Sequence, residues 1–440
     1  MEIPARHPRK GDCIIRERTN TLGRVKVLVD YPDLGVSRRP EYLDELVDCK
    51  TSMPIRLQDP PSAMLQMPVA VPQVPSWQDA RQALLALRLG QSTAETVRGL
   101  SVGLSEVDEA CQWALDRAGS GQLSFLLLVS RYGMGKSHAL AHLRLRARER
   151  SMATGTVVLD GVSTTLCRPL GLISALSHSI EFPEAIASDG LPQRLAGLVR
   201  TGTVNRLQTA GAATLFQSLA PLSGDHVDDP DKWETVEDYL SLEVSAAQAG
   251  HRLGVHLPPL NANRLVERPG RATDLLHEWA QACTATGARG GLTIVLDEAD
   301  VDYGNCWRTG SELEQRSALL EAARQMAETG PRGGSYARLV VALAITPGVC
   351  EPDPVEELTN TLGRHARTVA LRELSEHEMT ELGSKVCRLY CQAYEVSEDQ
   401  AGRMEGLVSD ALSTLSRGAE LRNPRKFIRL LLEKLDAAYA

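Results

Sequence analysis

The sequence predicts an α/β fold: a parallel sheet buried on both faces, a long helical insertion, a helical C-terminal quarter and a small β-rich N-terminal piece. Three observations predict it. Apolar runs at 123–129, 156–160, 291–297 and 339–345 are continuous rather than alternating, the pattern of strands with no solvent-facing side. Helical periodicity fills much of the chain between them, as crossover connections between parallel strands require. Polar groups follow directly on the runs, at Gly133–Ser137, Asp297-Glu298 and Thr346, and such sheets take their ligands beyond the carboxyl ends of the strands.

Composition bounds the rest. The 440 residues suffice for two to four domains. With 43% hydrophobic and 24% charged residues the chain is an ordinary globular one with a full core. A net charge of −8 argues against the whole molecule being a polyanion binder and leaves room for a local basic patch. The nine cysteines form no C-x-x-C pair and no metal spacing, which favours reduced thiols in a cytoplasmic protein. Cys387 and Cys391, four apart on a helix, read as small buried residues. The start MEIPARHPRKGD lacks an apolar segment, and no run approaches the length of a membrane span.

Residues 1–58 read as short strands, with the apolar run Cys13-Ile14-Ile15, the alternating run Val25–Val29 and a turn at Asn20-Thr21-Leu22-Gly23. The first forty residues hold nine Lys/Arg against five Asp/Glu. Arg6, Arg9, Lys10, Arg16, Arg18, Arg24 and Lys26 would give a small barrel a cationic face, so this piece is expected to tether the chain to DNA or to a partner. Residues 59–75 are proline-rich and read as a linker. A core is expected over 76–370, and a helical lid over 371–440. Capping-box-like starts at Ser76–Asp79 and Ser105–Asp108 open two helices ahead of the first buried strand. Arg144, Arg146, Arg148 and Arg150 do not share a face and read as a solvated helix surface. Residues 165–285 read as mostly helical, with loops near Gly224–Lys232 and Pro258–Asn263. Ser375-Glu376-His377-Glu378 and Ser397–Gln400 open further helices, and Asn423-Pro424 places asparagine at N-cap and proline at N1.

The decisive stretch is FLLLVSRYGMGKSHALAHL, residues 125–143. A strand ends, a glycine-spaced turn follows, and a helix begins at Lys136-Ser137. This approximates a phosphate-binding loop, with Ser130 where the usual motif has its first glycine. Unpaired backbone N–H groups at the turn and helix N-terminus attract phosphate oxygens. The nucleotide-binding set is therefore Ser130, Arg131, Tyr132, Gly133, Met134, Gly135, Lys136, Ser137 and His138. Lys136 supplies a charge for the β- and γ-phosphates, and Ser137 a hydroxyl for Mg²⁺. Asp297, at the end of the strand GLTIVLDEAD, holds the same Mg²⁺. Glu298 orients or activates the attacking water, and Thr346 senses the γ-phosphate. His138 has no acid and nucleophile beside it and reads as a helix residue. Arg425 is a cation in a first helical turn, where the dipole disfavours it by up to ~1 kcal/mol; that position suits an arginine that reaches to a γ-phosphate, with Arg422 the fallback. Arg364, or Arg367, follows the Thr346 strand and is the candidate for an arginine acting in trans.

These stretches resemble a known family. RYGMGKSHAL, VVLDGVSTT, LTIVLDEAD and VALAITP are similar to the ATP-binding proteins of BREX-type phage-defence systems, the BrxD group and its relatives. So are DARQALLALRLG, LSVGLSEVDEA, LRELSEHEM and NPRKFIRLLLEKL. The family loop is usually G-[acid]-Y-G-x-G-K-[ST]; Tyr132, Gly133, Gly135, Lys136 and Ser137 match it, while Ser130 and Arg131 depart. The resemblance covers residues 77–436. It implies an AAA+-like ATPase near the origin-recognition and STAND branches, using ATP and Mg²⁺ and acting with other defence proteins, with DNA and as a homo-oligomer. Two other readings share the fold and the site chemistry: a nucleotide-dependent switch or scaffold that does not hydrolyse, and an AAA+ regulator of transposition or helicase loading.

Overall fold

The computed structural model describes residues 3–7, 11–21, 24–31, 36–42, 47–48, 77–183, 190–200, 229–257, 269–304, 309–329, 338–348, 353–396, 398–416 and 423–439. The linker at 59–75, the turn residues Leu22 and Gly23, Arg9, Lys10, Ser76, the loop at 258–263, Ser397 and Arg422 lie outside the described residues. The chain divides into two compact units, Met1–Gln73 and Val74–Ala440.

The first unit holds strands β1 (Ile3–His7), β2 (Gly11–Thr21), β3 (Arg24–Tyr31), β4 (Val36–Tyr42) and β5 (Val47–Asp48). They form one sheet in the order β4-β3-β2-β1-β5, and each neighbouring pair is antiparallel. Thr21 pairs with Arg24, so a two-residue connection closes the β2–β3 hairpin.

The second unit is built on β6 (Leu123–Val129), β7 (Met152–Val158), β8 (Gly291–Asp297), β9 (Leu339–Ile345) and β10 (Ala366–Ala370). Their order is β10-β6-β9-β8-β7, and every pairing is parallel. The strand expected at 156–160 begins earlier, at Met152. It stops because the Asp160 carboxylate accepts the N–H groups of Val162, Ser163 and Thr164 and turns the chain. Strand β10 was not expected from the apolar pattern. It lies at a sheet edge and only Val369 of its five residues is buried, so it carries almost no apolar signal.

The period-2 geometry of β6 divides its side chains between two cores. Leu123, Phe125, Leu127 and Val129 pack with Leu172, Ile173, Trp279 and Leu319, from helices Pro169–Ser179, Pro269–Ala285 and Gly310–Thr329. Leu126 and Leu128 pack with Val107, Ala110, Leu140 and Leu143, from helices Ser105–Gly119 and Lys136–Glu149. Ser124 faces this second core fully buried, and its hydroxyl donates to the Ala114 carbonyl at 3.0 Å, so burial does not leave this hydroxyl unpaired.

Helix starts follow their side-chain chemistry. Ser375 accepts from Glu378 N, while Glu378 accepts from Ser375 N, the reciprocal box expected. The box expected at Ser105–Asp108 does not form. Leu104 is the N-cap and has no side-chain acceptor to give, and the Asp108 carboxylate is taken by His142 (2.7 Å) and Arg146 (3.2 Å). The arginines after the loop are likewise paired: Arg144 with Glu181 and Arg150 with Asp116. The region expected to loop near Gly224–Lys232 is already helical from Pro230.

A separate core joins the two ends of this unit. Ala80, Ala83 and Leu84 of helix Trp77–Arg88 pack with Met379, Leu382, Val386, Met404, Val408, Phe427 and Leu431. Cys387 and Cys391 sit here as free thiols, buried and partly buried as expected. Phe427 is fully buried among them. Phe427→Ala is expected to cost about 3–5 kcal/mol, read as a lowered denaturant midpoint in far-UV circular dichroism. An unchanged midpoint would mean that this core contributes little.

Candidate functional site

Sheet register brings the polar strand ends together. Val129 pairs with both Ile345 and Ala370, so Ser130 and Thr346 leave the sheet side by side. Ser130 N donates to Ile345 O at 3.2 Å, and Ala299 N to Ala344 O at 2.9 Å. The acids after β8 thereby stand next to the loop after β6. That loop turns on Gly133 (φ 81°) and Gly135 (φ 94°), left-handed values that side chains disfavour. Gly135 is the N-cap of helix Lys136–Glu149 and offers no side chain, so the first N–H groups of this helix have no side-chain cap.

Lys136 is the hub. Its Nζ donates to the Ser130 carbonyl at 3.0 Å and to Thr346 Oγ1 at 2.8 Å. Thr346 N in turn donates to Asp300 Oδ1 at 3.0 Å. Burial lowers the Lys136 pKa, while Asp300, Glu298 and Asp297 oppose the shift. Glu298 is exposed and holds a left-handed φ of 59°, which costs a non-glycine residue roughly 1–3 kcal/mol and clusters at functional sites. Its N–H donates to Asp297 Oδ1 at 2.9 Å. Desolvation, then repulsion by Asp297 and Asp300, raises the Glu298 carboxyl above its usual value, against the pull of Lys136 and Arg425.

One cleft collects most of the expected residues. Tyr132, Gly133, Met134, Gly135, Lys136, Ser137, His138, Asp297, Glu298 and Arg425 all line it. Apolar side chains also line it, among them Leu87, Leu100, Val102, Leu104, Leu374 and Ile428, together with Gln91 and Ser92. Ser130 and Thr346 touch it through Lys136 rather than directly. Ser130 is buried, and its hydroxyl donates to the Arg131 carbonyl at 3.2 Å; Arg131 itself is exposed. Arg364 is not brought to the cleft. It precedes β10, at the amino edge of the sheet, with its Nε 3.5 Å from His365 Nε2.

Asn423 caps helix Pro424–Tyr439, its Oδ1 accepting from Arg425 N (3.1 Å) and Lys426 N (3.2 Å). The same side chain fills the space beside Gly133, where a Cβ would lie 2.5 Å from Asn423 Nδ2. Arg425 crosses to the loop and donates to Tyr132 OH at 2.8 Å. His138 Nε2 lies 3.1 Å from Ser101 Oγ; burial, with His142 adding, pushes its pKa down to about 4, so the ring is neutral at pH 7. Sequence reasoning passed over Asp300 and Arg372. Asp300 was visible as the third acid of Asp297-Glu298-Ala299-Asp300. Arg372 lines the cleft and is bound bidentately by Glu378, at 2.7 and 2.5 Å; nothing local in the sequence marks it.

This fold is compatible with the P-loop NTPases: a five-stranded parallel sheet with helices on both faces and a glycine loop opening a helix at its carboxyl edge. Residues 76–180 match the family of the BREX system ATP-binding protein BrxC/D. That segment runs from the first helix of the unit through the loop to the end of helix Pro169–Ser179, and over it the chain is similar to BREX-type ATP-binding proteins, as its motifs imply. A comparison with curated proteins finds no match. Among the described residues no helix is long and apolar enough to cross a membrane.

Proposed function

We propose that this cleft binds Mg-ATP and that the chain hydrolyses it to drive or gate assembly of an antiviral complex on DNA. One observation carries the reading: Lys136 Nζ is held 2.8 Å from Thr346 Oγ1 beside three carboxylates, at the N-terminus of a helix that follows a two-glycine turn. Backbone donors and Lys136 would hold the β- and γ-phosphates. Glu298 would orient the water, and Thr346 would read the terminal phosphate.

The residues fit Mg²⁺. Ser137 and Asp297 line the same cleft and offer a hydroxyl and a carboxylate, the hard oxygen donors this ion takes. Among the described residues no three His, Cys, Asp or Glu side chains gather as a metal cage; Mg²⁺ bound with substrate phosphates needs only one or two protein oxygens. Bound there, the ion would neutralise charge developing on the phosphates.

The order β10-β6-β9-β8-β7, with the loop strand interior and the acidic strand two places away, supports the AAA+-like reading. Helices Glu376–Tyr394, Glu398–Ser416 and Pro424–Tyr439 support a C-terminal lid, since they pack together and reach the loop through Asn423 and Arg425. Arg364, away from its own cleft, is left to act on a neighbouring copy. Steady-state phosphate release with and without DNA tests the proposal. Release that DNA stimulates supports it; no release under any condition, with ATP still bound, leaves the nucleotide-dependent switch.

Residues 1–58 are proposed to tether the ATPase to DNA or to a partner without contributing to the ATP site. Fragment 76–440 should bind ATP like the full chain but hold DNA more weakly, with a shallower salt dependence because fewer phosphate contacts release counterions. Equal DNA affinities and equal salt slopes would leave only a protein-docking role. Loss of ATP binding in the fragment would end the modular reading.

A further inference from the structure

Arg425 is a cation that the helical C-terminal quarter sends into the cleft, and it is not free there. Its Nη1 donates to Tyr132 OH at 2.8 Å, and its guanidinium lies over the Tyr132 ring, 5.4 Å from the centroid. On its other side it rests against Gly90, where a Cβ would collide with the guanidinium. Tyr132 is 65% exposed, so this contact is its main anchor rather than part of a core. Tyr132 belongs to the glycine loop, immediately before Gly133.

We propose that Tyr132 is a positioning residue that holds Arg425 until a terminal phosphate takes the guanidinium from it, and that this exchange sets the preference for a nucleoside triphosphate over a diphosphate. The inference rests on the nucleotide reading of the cleft. The two bonds that compete for Arg425 are unequal. The Tyr132 hydroxyl is a neutral acceptor. A phosphate oxygen is itself charged, and a phosphate can take two parallel N–H bonds from a guanidinium, so its hold on Arg425 is the stronger of the two. Glu298, the acid proposed to position the attacking water, lines the same cleft as Arg425, so the arginine stands on the wall of the space where a third phosphate would end. A diphosphate offers nothing there.

Release of Arg425 would not stay local. Arg425 sits in the first turn of helix Pro424–Tyr439, whose Phe427, Leu431, Leu432 and Leu435 are buried in the core shared with helices Trp77–Arg88 and Glu376–Tyr394. Asn423, two residues earlier, packs on Gly133 of the same loop. The loop and the helical quarter therefore meet at two adjacent points, and the proposal makes one of them exchangeable.

Tyr132→Phe keeps the ring and removes only the hydroxyl. Calorimetric titration should show the affinity for a non-hydrolysable ATP analogue rising by roughly 3–10-fold, the net worth of one solvent-exposed hydrogen bond, with ADP affinity as the internal reference changing less than about twofold on the same scale. In an Arg425→Ala background the same substitution should do nothing, because the two residues act as one unit. An unchanged ratio of ATP-analogue to ADP affinity, a fall in affinity for the analogue, or an equal effect with and without Arg425 would each overturn the proposal. Lys136→Ala separates the two readings. If it leaves both nucleotides bound as before, the nucleotide reading of the cleft has failed; if it weakens both while Tyr132→Phe shifts nothing, only the exchange has.

Discussion

Replacing Lys136 by alanine is expected to weaken binding of a non-hydrolysable ATP analogue by about 10–100-fold or more. A hydrogen bond to a charged group contributes about 1.5–3 kcal/mol, and Lys136 would make such bonds to two phosphates. Of the two arginines that line the cleft, Arg372 is bound by Glu378, and Arg425 lies on Tyr132 and is proposed to leave it only for a terminal phosphate. Neither takes over the bonds proposed for Lys136 to both phosphates. The fold should survive, because Lys136 opens its helix and alanine is the best helix former. What the variant loses inside the protein is the bridge from Ser130 O to Thr346 Oγ1. Titration calorimetry measures the affinity, and a denaturant midpoint checks that the chain is intact. An affinity equal to the parent's would place the nucleotide elsewhere.

The part of the fold that was legible in the sequence is the part written in apolar runs. Strands β6, β8 and β9 are buried on both faces, and apart from Ser124, Thr293 and the terminal Asp297 their sequences carry no polar side chain. Strand β10 was not legible, because Ala366-Arg367-Thr368-Val369-Ala370 has one buried side chain and is held at the edge by backbone pairing to β6. Local motif chemistry was legible in the same way. The glycine turn with Lys136-Ser137 is one contiguous stretch and Asp297-Glu298 is another, and parallel topology alone places the two on one edge. The Ser375 cap formed as read, whereas the Ser105 cap did not form, and its Asp108 is taken by His142 and Arg146, partners 34 and 38 residues away. Contacts that join distant segments had no sequence signal at all. Arg425 and Tyr132 are 293 residues apart, and the cation was suspect only because its helix dipole disfavours it. Helix Trp77–Arg88 read as a lead-in to the sheet, yet its apolar face is buried against the C-terminal helices, a pairing that amphipathicity announces without naming the partner.

Glu298→Gln is expected to leave Mg-ATP bound and to slow phosphate release by about 10²–10⁴-fold, the usual worth of a positioned general base. The amide keeps the size of the side chain and can adopt the same left-handed backbone, φ 59°, at the same cost. What it removes is a carboxylate able to take or orient a proton. The environment of Glu298 is suited to that role. Desolvation and the neighbouring Asp297 and Asp300 raise its pKa, and a base works best when its pKa approaches the working pH. The sign of the pH dependence follows. Only the deprotonated carboxylate can act, so the parent rate should be full above the raised pKa and fall as pH drops through it, at a higher pH than for an unperturbed glutamate. In Glu298→Gln that limb should vanish from the residual rate. Nucleotide affinity should hold or rise slightly, since one negative charge beside the phosphates is gone. Single-turnover phosphate release across a pH series reads all three. A variant that hydrolyses at the parental rate would remove Glu298 from the reaction. A variant that loses ATP binding together with turnover would make Glu298 part of the binding site and leave the water to another carboxylate such as Asp300, bonded to Thr346 N at 3.0 Å.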